Sequence, residues 1–273
     1  MPEFMTLMAE GRAAALDRRF DEAAAKAERL LASVPSCLPA LRLLAWAQLE
    51  LGDDRALVSF QQCAELDPED ALAQVGQAIW SQQRDQRDQA RRCWTRAWEL
   101  EPHNQPIRRA LVRLTGELPE SALADGVGLL RAGRLEEAAE ALRRAATAQP
   151  PDVAPMLALM TAVWGLGGRR QAFDLAVTIQ AAHPHCVRAM LYVAALEDSA
   201  GRTLRSRELI ARAEQADPGL VLFADTVHEL GLQASIDSHR ASRLAPRPGE
   251  AGAAPPAASA ERGASRGWLA GVP

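Results

Sequence analysis

Residues 122–150 read ALADGVGLLRAGRLEEAAEALRRAATAQP, and this stretch decides the fold. Apolar residues recur at three- and four-residue intervals on both sides of Gly133, the pattern of two amphipathic helices around a tight turn. Small residues stand at Gly126 in the first half and at Ala138 and Ala145 in the second, and Pro150 closes the unit. At about 8–10 Å between axes, Gly or Ala on the facing ridge lets two helix backbones approach. Working outward, prolines fall at Pro35, Pro68, Pro102, Pro150, Pro184 and Pro218, with spacings of 33, 34, 48, 34 and 34. Twelve positions before each stands a small residue: Ala23, Ala56, Ala90, Ala138, Ala172 and Ser206. Fixed-period self-similarity of this kind marks a repeat protein.

The units resemble the tetratricopeptide repeat family. Gly126 falls at that family's small position in the first helix, Gly133 at its turn, Ala138 and Ala145 at the small positions of the second helix, and Pro150 at its end. The other copies keep Gly11, Ala23 and Pro35; Ala56, Phe60 and Pro68; Ala90, Trp94, Ala97 and Pro102; Gly167, Ala172 and Pro184; Gly201, Ala213 and Pro218. The resemblance covers about residues 4–236 and implies an all-α, right-handed superhelix of antiparallel helix hairpins. It further implies that the first helices line a concave, partner-binding side. Two departures leave the register of first helices open: the second unit is one residue short, and the third lacks a turn glycine. The 35-residue RNA-reading helical repeats are the alternative, but they want a basic surface and another period.

The 48-residue interval holds an extra one-sided helix, residues 105–118, with Ile107, Ala110, Leu111 and Leu114 on one face. A second such helix is expected over 219–234, carrying Leu220, Phe223, Ala224, Val227 and Leu230. A solenoid needs a helix with a polar outer face at each end. The division is therefore 1–118 and 119–236, each three repeats plus a cap, against the alternative of one continuous superhelix with a stray helix mid-way. Residues 237–273 read as a disordered tail, since Ala, Pro, Gly and Ser make up 23 of the 33 residues from 241 onward. Its Trp268-Leu269-Ala270-Gly271-Val272-Pro273 cluster reads as a motif for a partner or for the chain's own groove, or as an unselected terminus.

Composition agrees. The 273 residues are 48% hydrophobic and 4% aromatic with net charge −4, too few aromatics for an all-β protein and too acidic for a general nucleic-acid or membrane-surface binder. Only Lys26 among 31 basic residues is a lysine, which reads as a GC-rich, bacterial codon bias. No basic start leads into an apolar run, and the longest uncharged stretch, 153–168, is too short to span a bilayer, so a cytoplasmic location is expected. Cys37, Cys63, Cys93 and Cys186 form no C-x-x-C pair and read as reduced core residues.

No phosphate-cradling, zincin or EF-hand motif occurs, and the single G-x-S-x-G match, 263–267, lies in the tail without the strand and helix a nucleophile elbow needs. His183-Pro184-His185-Cys186 is the one metal-like cluster, weighed against turn residues beside a closing proline. The chain is thus expected to be non-enzymatic and without cofactor, with a metal or catalytic role at that cluster the remote alternative.

The groove is the better candidate. On a 3.6-residue period the unpartnered faces of the first helices collect Met8 and Arg12; Arg42, Trp46 and Leu49; Ile79, with Trp80 one step off; Val127, Leu130 and Arg131; Leu157 and Trp164. Trp46 and Trp80, 34 apart, are expected to stack along one wall, unless they lie in the interhelical core. A wall of tryptophans flanked by arginines suits a helix or extended peptide with acidic residues. Repeats of this family that clamp a terminal carboxylate use asparagines on first helices, and the only Asn is Asn104, in a turn. The function expected is an interaction scaffold for a protein or peptide partner; the alternative is a self-assembling component of a larger bacterial complex, a homo-oligomer through the tail or a bare module end.

Overall fold

The computed structural model describes residues 2–148 and 152–244. Pro150 and the tail cluster around Trp268 therefore lie outside the described residues. All of the regular structure described is helical. The first three hairpins are α1 (Pro2–Leu16) with α2 (Phe20–Ser33), α3 (Leu38–Glu50) with α4 (Ala56–Leu66), and α5 (Ala71–Gln83) with α6 (Arg87–Leu100). A single helix, α7 (Gln105–Thr115), follows. Then come α8 (Ala122–Arg131) with α9 (Leu135–Ala148), α10 (Val153–Gly165) with α11 (Arg169–Ala182), and α12 (Val187–Ser199) with α13 (Thr203–Ala216). The last pair is α14 (Ala224–Leu230) and α15 (Gln233–Leu244).

Each hairpin is written by the same local chemistry. Its first helix ends on a residue in the left-handed region: Gly52, Gly133, Gly167 and Gly201 at φ 72°, 75°, 81° and 75°, with Arg18 at 60° and Asp85 at 54° where glycine is missing. Four of the described closing prolines, with Pro218, occupy the second position of a turn closed by one backbone bond. Examples are Cys37 N to Val34 O at 3.1 Å, Asp70 N to Asp67 O at 2.9 Å and Cys186 N to His183 O at 3.1 Å. Proline suits that position because its φ is already set. The next helix then starts on a side-chain cap where the sequence supplies one: Asp70 accepts from Ala73 N, Asn104 from Ile107 N, Ser121 from Ala124 N and Asp152 from Ala154 N.

The repeated small residues do the packing expected of them. Ala23, Ala56, Ala90, Ala138 and Ala172 have no exposed surface, and Ser206 has 1%. A Cβ on Gly126 would sit 2.5 Å from Leu142 Cγ, so only glycine lets α8 lie this close to α9. Successive first helices stack, α1 on α3 on α5 and α8 on α10. Helix α7 packs on α6 with Ile107 and Leu111 buried, while α8 also reaches α6 directly. One apolar core runs from Leu38 through Leu123 and Tyr192 to Ile236.

Two boundaries differ from the sequence expectation. The helix expected over 219–234 is two shorter helices, separated because Gly231 adopts φ 69° and ends α14. Residues 237–244, expected in the tail, belong to α15, which packs on α13 as α14 packs on α12. Leu220, Phe223 and Val227 are buried, so the apolar face read there is real but is carried by a connection and a short helix.

Candidate partner-binding groove

The inner side of the superhelix is largely filled by the chain itself. Helix α12 buries Val187 and then every residue from Ala189 to Ala195, and α10 buries nine of its thirteen residues, so neither has a free apolar face. Residues of the later repeats reach back to the early ones. Arg188 of α12 lies 2.9 Å from Glu69 in the α4–α5 turn, an ion pair off the line of a hydrogen bond. Arg42 of α3 donates to Asp70 at 2.7 Å and to Asp67 at 3.4 Å in the same turn. Burial pushes the Asp67 carboxyl up to about 6 against the pull of Arg188 and Arg42.

This filling decides the fate of the sequence-predicted groove residues. Met8, Leu49, Val127 and Trp80 are buried, and Leu157 has no exposed surface, so these five present nothing to a partner. Ile79, Leu130 and Trp164 are half-buried against the same core. Arg131 is exposed and donates to Leu100 O at 3.2 Å. Trp46 and Trp80 do not form the expected stack. Trp46 meets Phe60 edge-on at 5.2 Å, and Trp80 is covered by the Arg84 guanidinium at 4.1 Å. Trp164 meets Tyr192 edge-on at 5.3 Å and is covered by Arg169 at 3.5 Å. Trp94 and Trp98 are core residues, and the Trp94 indole donates to Gln82 at 2.9 Å.

Three predicted residues do converge. Arg12, Arg42 and Trp46 line a groove of about 470 Å³ together with Ala15, Leu16, Pro39, Leu43, Leu72 and Leu222. Helices α1, α3 and α5 form its walls, and the α13–α14 connection supplies Leu222 from the far end of the chain. Leu16 is 85% exposed, Leu72 53% and Leu222 39%. The Arg42 guanidinium is held by Asp70, whereas Arg12 is exposed and, among the described residues, has no ion pair or hydrogen bond. Leu16, Leu72 and Leu222 were not among the residues read from the sequence. Leu16 and Leu72 carry only the weak signal of a leucine at the end or the outer edge of a helix, and Leu222 carries none.

Larger clefts exist, of about 950 Å³ along α6 and 680 Å³ between α7 and α8. The first is lined by glutamines, Arg91, Arg92, Arg96, Glu99 and Glu117, and the second by Arg108, Arg134, Glu137 and Arg144. Both clefts are lined by charges of mixed sign, while a predominantly apolar wall with few polar groups is the usual mark of a docking site. No group of three metal-binding side chains gathers among the described residues. His185 is exposed and Cys186 is buried, with its thiol pushed up to about 12 by burial, so the His183-His185-Cys186 run does not converge. Cys37 and Cys63 are likewise buried thiols whose titration burial raises. Among the described residues no helix is long and apolar enough to cross a membrane.

No family model and no curated protein matches the chain. Solved structures do. The MamA protein is 19% identical over 64% of this chain and 89% of that chain, with a TM-score of 0.38. A tetratricopeptide repeat protein from Parabacteroides merdae is 13% identical over 84% of each chain, with a TM-score of 0.37. The TPR2AB-domain:pHSP90 complex of yeast Sti1 is 16% identical over 88% of this chain and 99% of that chain, with a TM-score of 0.37.

Proposed function

We propose that this tetratricopeptide-repeat solenoid is a non-enzymatic scaffold that holds a short apolar segment of a partner protein in the groove between α1, α3 and α5. The observation that carries the reading is the groove itself. In a fold whose first helices otherwise cover one another, Trp46, Leu16, Leu72 and Leu222 stay accessible around one cavity, with Arg12 unpaired beside them. Apolar side chains exposed together favour association, and a free guanidinium at the rim selects for an acidic residue next to the apolar anchor. The walls are fixed by helix packing, so ordering costs fall on the ligand, and a segment of ten or so residues is expected to bind at ~μM.

The test uses a library of random 15-residue peptides displayed on phage, panned against the full chain. Enriched peptides are expected to carry a large apolar anchor with a neighbouring Asp or Glu. They should lose binding on a chain with Leu16→Glu and Leu72→Glu, two exposed positions where a charge leaves the fold intact. No enrichment, or binding that survives those substitutions, refutes the assignment.

A further inference from the structure

The groove has a matching segment within the chain itself. Residues 245–267 contain no Val, Ile, Leu, Met, Phe, Trp, Tyr or Cys, and Trp268, Leu269 and Val272 then follow together. A stretch without large apolar side chains has little surface to bury on its own and works as a tether. An apolar cluster beyond such a tether is stabilised by covering apolar surface elsewhere. The groove around Trp46, Leu16, Leu72 and Leu222 is apolar, about 470 Å³ in volume, and built partly from the end of the chain that carries the tether.

Reach is sufficient. From Leu222 to the end of α15 at Leu244 the path through two short helices is at most about 45 Å. The 24 residues from Leu244 to Trp268 are enough to span up to about 80 Å. The chemistry also fits. Arginine over an indole face is already used twice in this fold, by Arg84 on Trp80 at 4.1 Å and Arg169 on Trp164 at 3.5 Å. Arg12 is the groove cation with no partner among the described residues, and its guanidinium suits the face of a docked Trp268.

We infer that Trp268 and Leu269 dock intramolecularly into the groove lined by Arg12, Leu16, Trp46, Leu72 and Leu222, so that a partner must displace the chain's own segment. The inference rests on the reading of that groove as a docking site and adds a built-in competitor to it. A tethered competitor lowers the apparent affinity of any added ligand in proportion to its effective concentration, about 1 mM for a linker of this kind.

The probe is a synthetic peptide of residues 262–273, RGASRGWLAGVP, titrated against the full chain and against the full chain with Trp268→Ala and Leu269→Ala. With a peptide that binds the variant at about 10 μM, the unmodified chain is expected to take it up about 100-fold more weakly. Equal uptake by both chains, or uptake by neither, overturns the inference. Adding Leu16→Glu and Leu72→Glu to the tail variant is expected to abolish uptake with an unchanged helical spectrum; retained uptake overturns the assignment to this groove. Light scattering should give the mass of one chain across concentrations. A dimer that Trp268→Ala dissolves would place the segment on a second copy and overturn the intramolecular form. Library-selected peptides that depend on Leu16 and Leu72, combined with no uptake of the tail peptide, would leave the docking groove standing and overturn the tail assignment alone.

Discussion

Replacing Arg188 by methionine is expected to loosen the closure of the superhelix on itself. Arg188 stands on α12 and faces Glu69 at 2.9 Å in the turn between α4 and α5, where Asp67 and Asp70 also lie. Without it, Arg42 is the one cation left against three carboxylates, two of which it already holds at 2.7 and 3.4 Å. Removing one member of a fully buried ion pair costs about 3–5 kcal/mol. Here the side chains of Arg188 and Glu69 are 25% and 19% exposed, and the pair is off the line of a hydrogen bond, which brings the expected loss to about 2 kcal/mol. Methionine retains the packing of the aliphatic stem, so the loss reports charge. The assay is urea unfolding followed by circular dichroism at pH 7, with Glu69→Gln and the double variant completing a cycle. A coupling of about 1 kcal/mol is expected between the two positions. Because most contacts in a solenoid lie between neighbouring repeats, weakening this long-range tie should also broaden the transition as early and late repeats unfold less cooperatively. A coupling within about 0.3 kcal/mol of zero, with an unchanged transition width, would refute the reasoning.

Asp67 gives a pH dependence of unusual sign. Its carboxyl is raised by burial from 3.8 to about 6 in the folded chain, so the folded state binds the proton more tightly than the unfolded one. This group therefore stabilises the fold as pH falls from 7 to 5, by about 1 kcal/mol, and Asp67→Asn should remove that rise from melting curves measured across the range. Gly126→Ala brings a Cβ to 2.5 Å from Leu142 Cγ and 3.3 Å from its backbone nitrogen. Overpacking outweighs the better helix propensity of alanine, and a net loss of about 1–2 kcal/mol is expected in the same urea assay.

Much of the fold was legible because its signals are local. A left-handed residue ends each first helix, a proline turn follows α2, α4, α6, α11 and α13, and both depend on residues a few positions apart. The last helix pair was legible by the same rule and was missed. Gly231 follows Ala224 by seven positions, as Gly133 follows Gly126, and it ends α14 at φ 69°. Pro248 follows Gly231 by 17 positions, as Pro150 follows Gly133, but it lies 30 rather than 34 residues after Pro218 and has Ile236 instead of a small residue twelve positions before it, so a period read from prolines and their small companions stops one hairpin early. Where glycine was absent, Arg18 and Asp85 take its place at positive φ, which explains why the third unit keeps its hairpin without a turn glycine. The groove was less legible. A helical period identifies the face that turns away from the partner helix but not what lies beyond it. Leu157 and Leu49 sit on that face and are nonetheless buried, and Leu222 reaches the groove from a distant part of the sequence. Contacts such as Arg188 with Glu69 join repeats that no nearest-neighbour reading would pair.

The three tryptophans of the first helices differ in what covers their faces. Trp80 and Trp164 each have a cation over the ring, from Arg84 four residues on and from Arg169, the first residue of α11, five residues on. A guanidinium is attracted to the electron-rich face of an indole and, once seated, occupies it. Four residues after Trp46 stands Glu50, whose charge has the wrong sign for that face. Trp46 rests its edge on Phe60 and borders the groove, with Arg12 of the preceding hairpin free beside it. The difference between a covered and an uncovered tryptophan thus comes down to whether a cation stands four or five residues on. That places the open aromatic surface at the early end of the solenoid, where a ligand reaches it without prying apart the self-filled core.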